Sequence, residues 1–191
     1  MTEALIFLIK AFLDLFSVAI LITFLFRLLR VDYYNPIVQG MIKIADMVTS
    51  RLRRIFKPVF GIDFASLIVV FFFQAICFYL IILSGNASFE VLTMFAWSLF
   101  SILLLGLRII YWTLILGVIL SWTAPTNSHP AIRLLQHMTD QICNPFRIFL
   151  PPMGGLDLSP ILAFLIINFI YLAIANVAFG AGLPMNLSVG M

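Results

Sequence analysis

Charge is missing from this chain in long blocks. Phe64–Phe89 runs for 26 residues without Asp, Glu, Lys or Arg, Ile109–Ile132 for 24, and Leu158–Met191 for 34. Ala11–Phe26 contains one charge, Asp14. A helix of about 20 apolar residues crosses roughly 30 Å of hydrocarbon. In lipid the backbone must satisfy its own polar groups, which a helix does. The blocks therefore predict four spanning helices, near 4–29, 64–84, 96–121 and 158–180. The run over 92–121 exceeds one crossing, and its start reads as an interfacial stretch. Only 10% of the 191 residues are charged and 63% are hydrophobic, against about 25% charged in soluble domains. That balance excludes an ordinary soluble domain, a disordered chain and a disulfide-rich secreted module. The expected class is an all-α membrane protein.

Basic residues set the orientation. Segment 27–63 carries Arg27, Arg30, Lys43, Arg51, Arg53, Arg54 and Lys57, and segment 121–158 carries Arg133 and Arg147. The stretch around 85–91 and the C-terminal tail have none. By the positive-inside rule both basic segments face the cytoplasm and both termini face the periplasm of a bacterial inner membrane. Arg27 follows the first apolar run where a signal-peptide cleavage site would carry small residues, so this run reads as a retained span. Cys77 falls mid-span and Cys143 in a polar loop. They read as small buried hydrophobes rather than a disulfide or metal site.

The chain is also written twice. Shifted by 94 residues, Pro36 meets Pro130, Asp46 meets Asp140, Arg53 meets Arg147, Pro58 meets Pro152, Gly61 meets Gly155 and Asp63 meets Asp157. The matches are Pro, Gly, Asp and Arg, not the abundant Leu. Each copy reads as span, polar stretch, Pro/Gly turn, span. Two spans per copy insert both copies in the same direction, giving parallel repeats over 1–88 and 89–191.

Each polar stretch has helical periodicity. Val38, Met41, Ala45, Val48, Leu52 and Ile55 form an apolar stripe opposite Gln39, Lys43, Asp46, Ser50, Arg53 and Arg54. Ile132, Leu135, Met138 and Ile142 do the same opposite Arg133, Gln136, Asp140, Gln141 and Asn144. Pro36 and Pro130 suit the first helical position, after Asn35 and His129. Both stretches read as amphipathic helices in the headgroup plane on the cytoplasmic side. Arg51, Arg53, Arg54 and Lys57 read as a basic cluster that sets topology and attracts anionic lipid headgroups. A docking site for a cytoplasmic protein or nucleic acid is the sharper, less favoured reading.

The second turn carries Asn144-Pro145-Phe146-Arg147, then Leu150-Pro151-Pro152-Met153-Gly154-Gly155-Leu156-Asp157-Leu158-Ser159-Pro160, and the first copy opens on Asp32-Tyr33-Tyr34-Asn35-Pro36. These strings resemble the YggT (YlmG) family over nearly the whole chain, in its two-module proteobacterial form. The first copy departs from the pattern, with Phe60-Gly61-Ile62-Asp63-Phe64-Ala65-Ser66, one Gly fewer and no Pro after Ser66. The resemblance implies a small inner-membrane protein associated with osmotic-stress tolerance and cell-envelope or division functions. It implies no enzyme activity. In chloroplast relatives it implies factors for haem attachment or nucleoid distribution. Physically, Gly154 and Gly155 allow positive φ, Asp157 can cap the next helix, and Pro160 is tolerated in a first turn. Arg147, Pro152, Gly154, Gly155, Asp157, Ser159 and Pro160 thus read as a corner re-entering the bilayer, with Arg53, Pro58, Gly61, Asp63 and Ser66 as first-copy equivalents. A cation or partner site at Asp157 and Asp63 is the alternative.

Four strong polar groups fall inside the spans at the repeat offset: Asp14 with Arg108, and Gln74 with Asn168. An unpaired Arg at a helix centre costs about 2.5–3.5 kcal/mol on insertion scales. The four groups are therefore expected to converge on the bundle axis, with Asp14 bonded to Arg108 and the amides completing the network. Lys10, one turn before Asp14, can compete for it or snorkel outward.

No nucleophile–base pair and no phosphate-cradling glycine string is present. His129 and His137 lack the further ligands a metal needs. The expected function is non-enzymatic and without cofactor: an inner-membrane protein that organises or assembles envelope or division partners, as monomer or homo-oligomer, with nucleic acid disfavoured. A small ion channel or transporter using the midplane groups is the runner-up. Lipid or cofactor binding between the repeats is the third reading.

Overall fold

The computed structural model describes residues 2–58, 61–83, 90–123, 129–150 and 157–182. They form six helices: α1 (Thr2–Leu28), α2 (Pro36–Ile55), α3 (Phe64–Leu83), α4 (Val91–Thr123), α5 (Pro130–Arg147) and α6 (Ser159–Gly180). The protein is all-helical among the described residues. Four of the helices, α1, α3, α4 and α6, are long and apolar enough to cross a membrane. Pro152, Gly154 and Gly155 of the second turn lie outside the described residues.

One boundary differs from expectation. The start of the 92–121 run is not a separate interfacial stretch but the first turns of one continuous 33-residue helix. Val91–Leu105 contains neither Gly nor Pro, so nothing interrupts the hydrogen-bond ladder. At 1.5 Å per residue α4 is about 50 Å long, well beyond the hydrocarbon thickness. Cys143 also differs. It lies inside α5, not in a loop, and is fully buried.

The short helices begin where their prolines predict. Asn35 Oδ1 accepts the Ile37 N–H at 2.9 Å, and His129 Nδ1 accepts the Ala131 N–H at 3.2 Å, with Pro36 and Pro130 next in each chain. Each cap satisfies an N–H that the first helical turn leaves without a partner. At the end of α1, Arg30 takes the left-handed conformation (φ 50°), and the Val31 N–H reaches back to Phe26 O at 2.9 Å. This closes the helix as a glycine usually does.

Within each half, the two long helices pack on one another and the short helix packs on both. The halves meet mainly through α3 and α4. Ile20, Leu21, Val69 and Val70 share one apolar cluster with Ile102 and Leu105. Phe78 and Ile81 share another with Met94, Trp97 and Ala178. A third joins Leu25, Phe26 and Val38 to Leu134 and Met138. The starts of the two short helices touch directly, Asn35 Nδ2 donating to Pro130 O at 2.8 Å. Both short helices thus sit at the same end of the bundle. The outer faces remain apolar: Phe7 and Phe169 are each 73% exposed. Such a belt suits lipid, where exposure of hydrocarbon carries no hydrophobic penalty.

Candidate functional site

The densest chemistry lies where each short helix hands the chain back to a long one. In the first half, Arg53 near the end of α2 is held on three sides. Its Nη1 lies 2.7 Å from Asp46 Oδ1, its Nη2 donates to Thr49 Oγ1 at 2.8 Å, and its Nε to Asp63 Oδ2 at 3.2 Å. Asp46, Thr49 and Arg53 sit at helical spacing on one side of α2, so one guanidinium spans nearly two turns. A planar fork with several fixed donors suits this task.

Asp63 closes the corner. Its side chain has no exposure. One oxygen accepts the Ser66 N–H at 3.3 Å and the other the Ser66 hydroxyl at 2.8 Å, capping α3 three residues in. Arg27, in the last turn of α1, also pairs with Asp63 and reaches Asp46 at 3.3 Å. The corner therefore ties together the end of α1, the length of α2 and the start of α3. Burial pushes the Asp63 carboxyl upward, but the Ser66 hydroxyl and the Arg53 and Arg27 charges outweigh it and hold it below the usual carboxylate range. Gly61 supplies the turn ahead of it with φ 84°. Any side chain would be strained there.

The second half builds the same device with fewer parts. Arg147 Nη2 lies 2.6 Å from Asp140 Oδ1, and its Nε donates to Asp157 Oδ2 at 2.9 Å. Asp157 accepts the Ser159 N–H at 2.9 Å. Here too the carboxyl is pushed up by burial yet held low by Ser159 and Arg147. The position equivalent to Arg27 is Ser121, so no arginine from α4 joins, and the corner is more open. Asp140 is 59% exposed where Asp46 is 36%.

By sequence Arg53 belongs both to the basic interfacial cluster and to the motif. The structure separates these roles: Arg51, Arg54 and Lys57 are exposed, while Arg53 is part-buried in the corner. Asp63 caps α3 through Ser66, and Asp157, one residue ahead of the α6 N-cap Leu158, accepts the Ser159 N–H. Their pairing with Arg53 and Arg147, and the part of Arg27, was not foreseen. The shared offset of three matched positions, Asp46/Asp140, Arg53/Arg147 and Asp63/Asp157, is the signal that could have found it. Pro58 is exposed beyond the end of α2, and Pro160 lies in the first turn of α6.

The four midplane groups do not form one network. The expected partner of Asp14 is replaced: Lys10 pairs with it at 3.1 Å, and Gln74 Nε2 donates to it at 3.2 Å. Gln74 is fully buried, with Ser17 Oγ also at 3.4 Å, and Cys77 Sγ lies 3.8 Å from Asp14. These contacts join α1 to α3. Arg108 and Asn168 instead line a cavity of about 330 Å³ between α4 and α6, and Asn168 is exposed rather than central. The reason is packing: each half closes its own long-helix pair, so repeat-equivalent groups meet their own neighbours before they meet each other. The two histidines lie apart in function. His129 caps α5, and His137 lines a crevice with Arg133 and Tyr34.

Comparison with known proteins fits this doubled construction. The CCB3/YggT family model matches residues 2–84 and again 96–178, the same 94-residue offset. The chain belongs to the CCB3/YggT family. An uncharacterised Pseudomonas aeruginosa protein is 35% identical over 193 residues, covering 99% of this chain and 98% of its own. The uncharacterised YggT protein of Escherichia coli is 29% identical over 180 residues, 94% of either chain. A chloroplastic YlmG homologue of Arabidopsis thaliana is 46% identical over 55 residues, 29% of this chain and 22% of its own. No solved structure matches this CCB3/YggT chain.

Proposed function

We propose that this CCB3/YggT protein is a non-enzymatic component of the bacterial inner membrane that supports envelope and osmotic-stress homeostasis by organising partner proteins. One observation carries the reading. Arg53 is consumed by the first corner, while Arg51, Arg54 and Lys57 beside it stay exposed on a platform that the corner fixes. In this reading 1–88 and 89–191 are two parallel units, and α2 and α5 lie as amphipathic helices in the cytoplasmic headgroup plane. Both termini are periplasmic. The exposed basic residues meet anionic headgroups and the acidic face of an envelope or division protein. The osmotic-stress part rests on the family resemblance.

A small ion channel is the competing reading, favoured by polar groups at mid-depth in all four long helices. Asp14 is already neutralised by Lys10 one turn away, which argues against an open cation path. A strain lacking the gene separates the two readings. Wild-type protein should restore growth under hyperosmotic challenge. The triple reversal Arg51→Glu, Arg54→Glu, Lys57→Glu should not, at equal membrane abundance. Reconstituted protein should pass no ions; a flux abolished by Asp14→Asn would replace the organising role with conduction.

A further inference from the structure

The duplicated frame supplies its own control for the cavity between α4 and α6. Its polar lining residues are Arg108, Tyr111, Asn168 and Tyr171. Subtracting the 94-residue offset gives Asp14, Ser17, Gln74 and Cys77. In the first half those four equivalents bond one another: Gln74 touches Asp14 and Ser17, and Cys77 touches Asp14. That patch is closed, with Gln74 1% exposed. In the second half the same backbone positions surround about 330 Å³ of space.

Three of the four positions carry a larger side chain in the second half, Arg108, Tyr111 and Tyr171 for Asp14, Ser17 and Cys77, while Asn168 is one methylene shorter than Gln74 and does not reach across as Gln74 does. Arg108 and Asn168 both lie near the middle of their helices, so the cavity is at mid-membrane depth. Trp112, 55% exposed, also lines it, and neighbouring Leu165, Phe169 and Leu172 face outward. The cavity therefore opens sideways toward lipid. Its volume falls within the roughly 300–1,000 Å³ of small-molecule sites.

We propose that this cavity binds a membrane-dissolved molecule that presents a hydrogen-bond-accepting oxygen head, a carboxylate or a ring carbonyl, on an apolar body. The guanidinium offers only donors, and at this depth a donor is best matched by an oxygen acceptor. The Asn168 amide and two phenols add further polar contacts, while Trp112 and Ile167 present apolar surface to the body. The lateral opening admits a ligand from the bilayer without passage through water. The site is independent of the corners and of the partner-organising role.

Photolabelling tests this with the full chain in neutral-lipid nanodiscs. One arm uses a diazirine-bearing palmitic acid, the other an azido-benzoquinone with a short isoprenoid tail. Each is competed by its unlabelled parent. Saturable labelling should concentrate on residues near 107–112 and 167–171 in at least one arm. The acid arm alone identifies a fatty-acid-like ligand, the quinone arm alone a ring carbonyl, and both together the shared acceptor chemistry. Arg108→Gln should weaken the apparent affinity at least about tenfold, as expected for loss of a charge-assisted hydrogen bond. Asn168→Leu keeps the guanidinium and should weaken it a few-fold, which preserves the test if the Arg108 variant does not fold. Labelling spread along every lipid-facing helix, uncompeted in both arms, overturns the proposal. So does equal affinity in a folded Arg108→Gln protein.

Discussion

Asp63 and Asp157 occupy equivalent positions but carry unequal burdens. Asp63 is inaccessible and meets two arginines, while Asp157 is 30% exposed and meets one. Removing one partner of a buried pair leaves the other charge uncompensated, at a cost of about 3–5 kcal/mol. Asp63→Ala should cost about that much, and Asp157→Ala about 1 kcal/mol or less, measured by thermal unfolding in nanodiscs. Equal losses would contradict the difference in enclosure. The folded carboxyl of Asp63 sits below its ordinary value. Its stabilisation is therefore fully present above the unfolded value near about pH 4 and is lost as pH falls through the lower folded value. Wild-type stability should drop below about pH 4, and Asp63→Asn should remove part of that drop. Arg53→Lys is not conservative, because one ammonium cannot reach Asp46, Thr49 and Asp63 together.

At the scale of elements, α4 and α5 approach closely at Gly117. A Cβ on Gly117 would fall 1.8 Å from Thr139 Oγ1, whose hydroxyl donates to Thr113 O at 3.3 Å. The equivalent first-half positions hold Thr23 and Ala45, both fully buried. The larger residue thus sits on the long helix in one copy and on the short helix in the other. Gly117→Thr should destabilise by about 1–3 kcal/mol through overpacking. Adding Thr139→Ala should recover most of the loss, because it installs the first-half arrangement. A double variant no better than the single would show that the two interfaces do not share a frame. The buried thiols belong to this scale too. Cys143 is fully enclosed in α5, and burial pushes its thiol up, so a water-soluble maleimide should label it only after denaturation.

For the whole molecule, the halves are bound by apolar clusters that draw residues from both. Segments 1–88 and 89–191, expressed as separate chains in one membrane, should therefore co-purify, and each alone should be depleted. Failure to associate would mean that chain continuity, not the clusters, holds the halves together. Much of this architecture is legible in the sequence because its causes are local. Charge-free length determines that a segment can span, proline determines where α2 and α5 begin, and a 94-residue offset in Pro, Gly, Asp and Arg reveals duplication. The charge pairings are a different matter. Asp14 and Arg108 share a depth, yet depth does not determine rotation about a helix axis or which neighbour arrives first. Packing of α1 on α3 and of α4 on α6 decided that Lys10 and Gln74 hold Asp14, that Arg108 lines a cavity, and that Arg27 joins Asp63 from 36 residues away. Hydrophobic length is a property of a segment. A partner is a property of the space between segments, and only the tertiary structure defines that space.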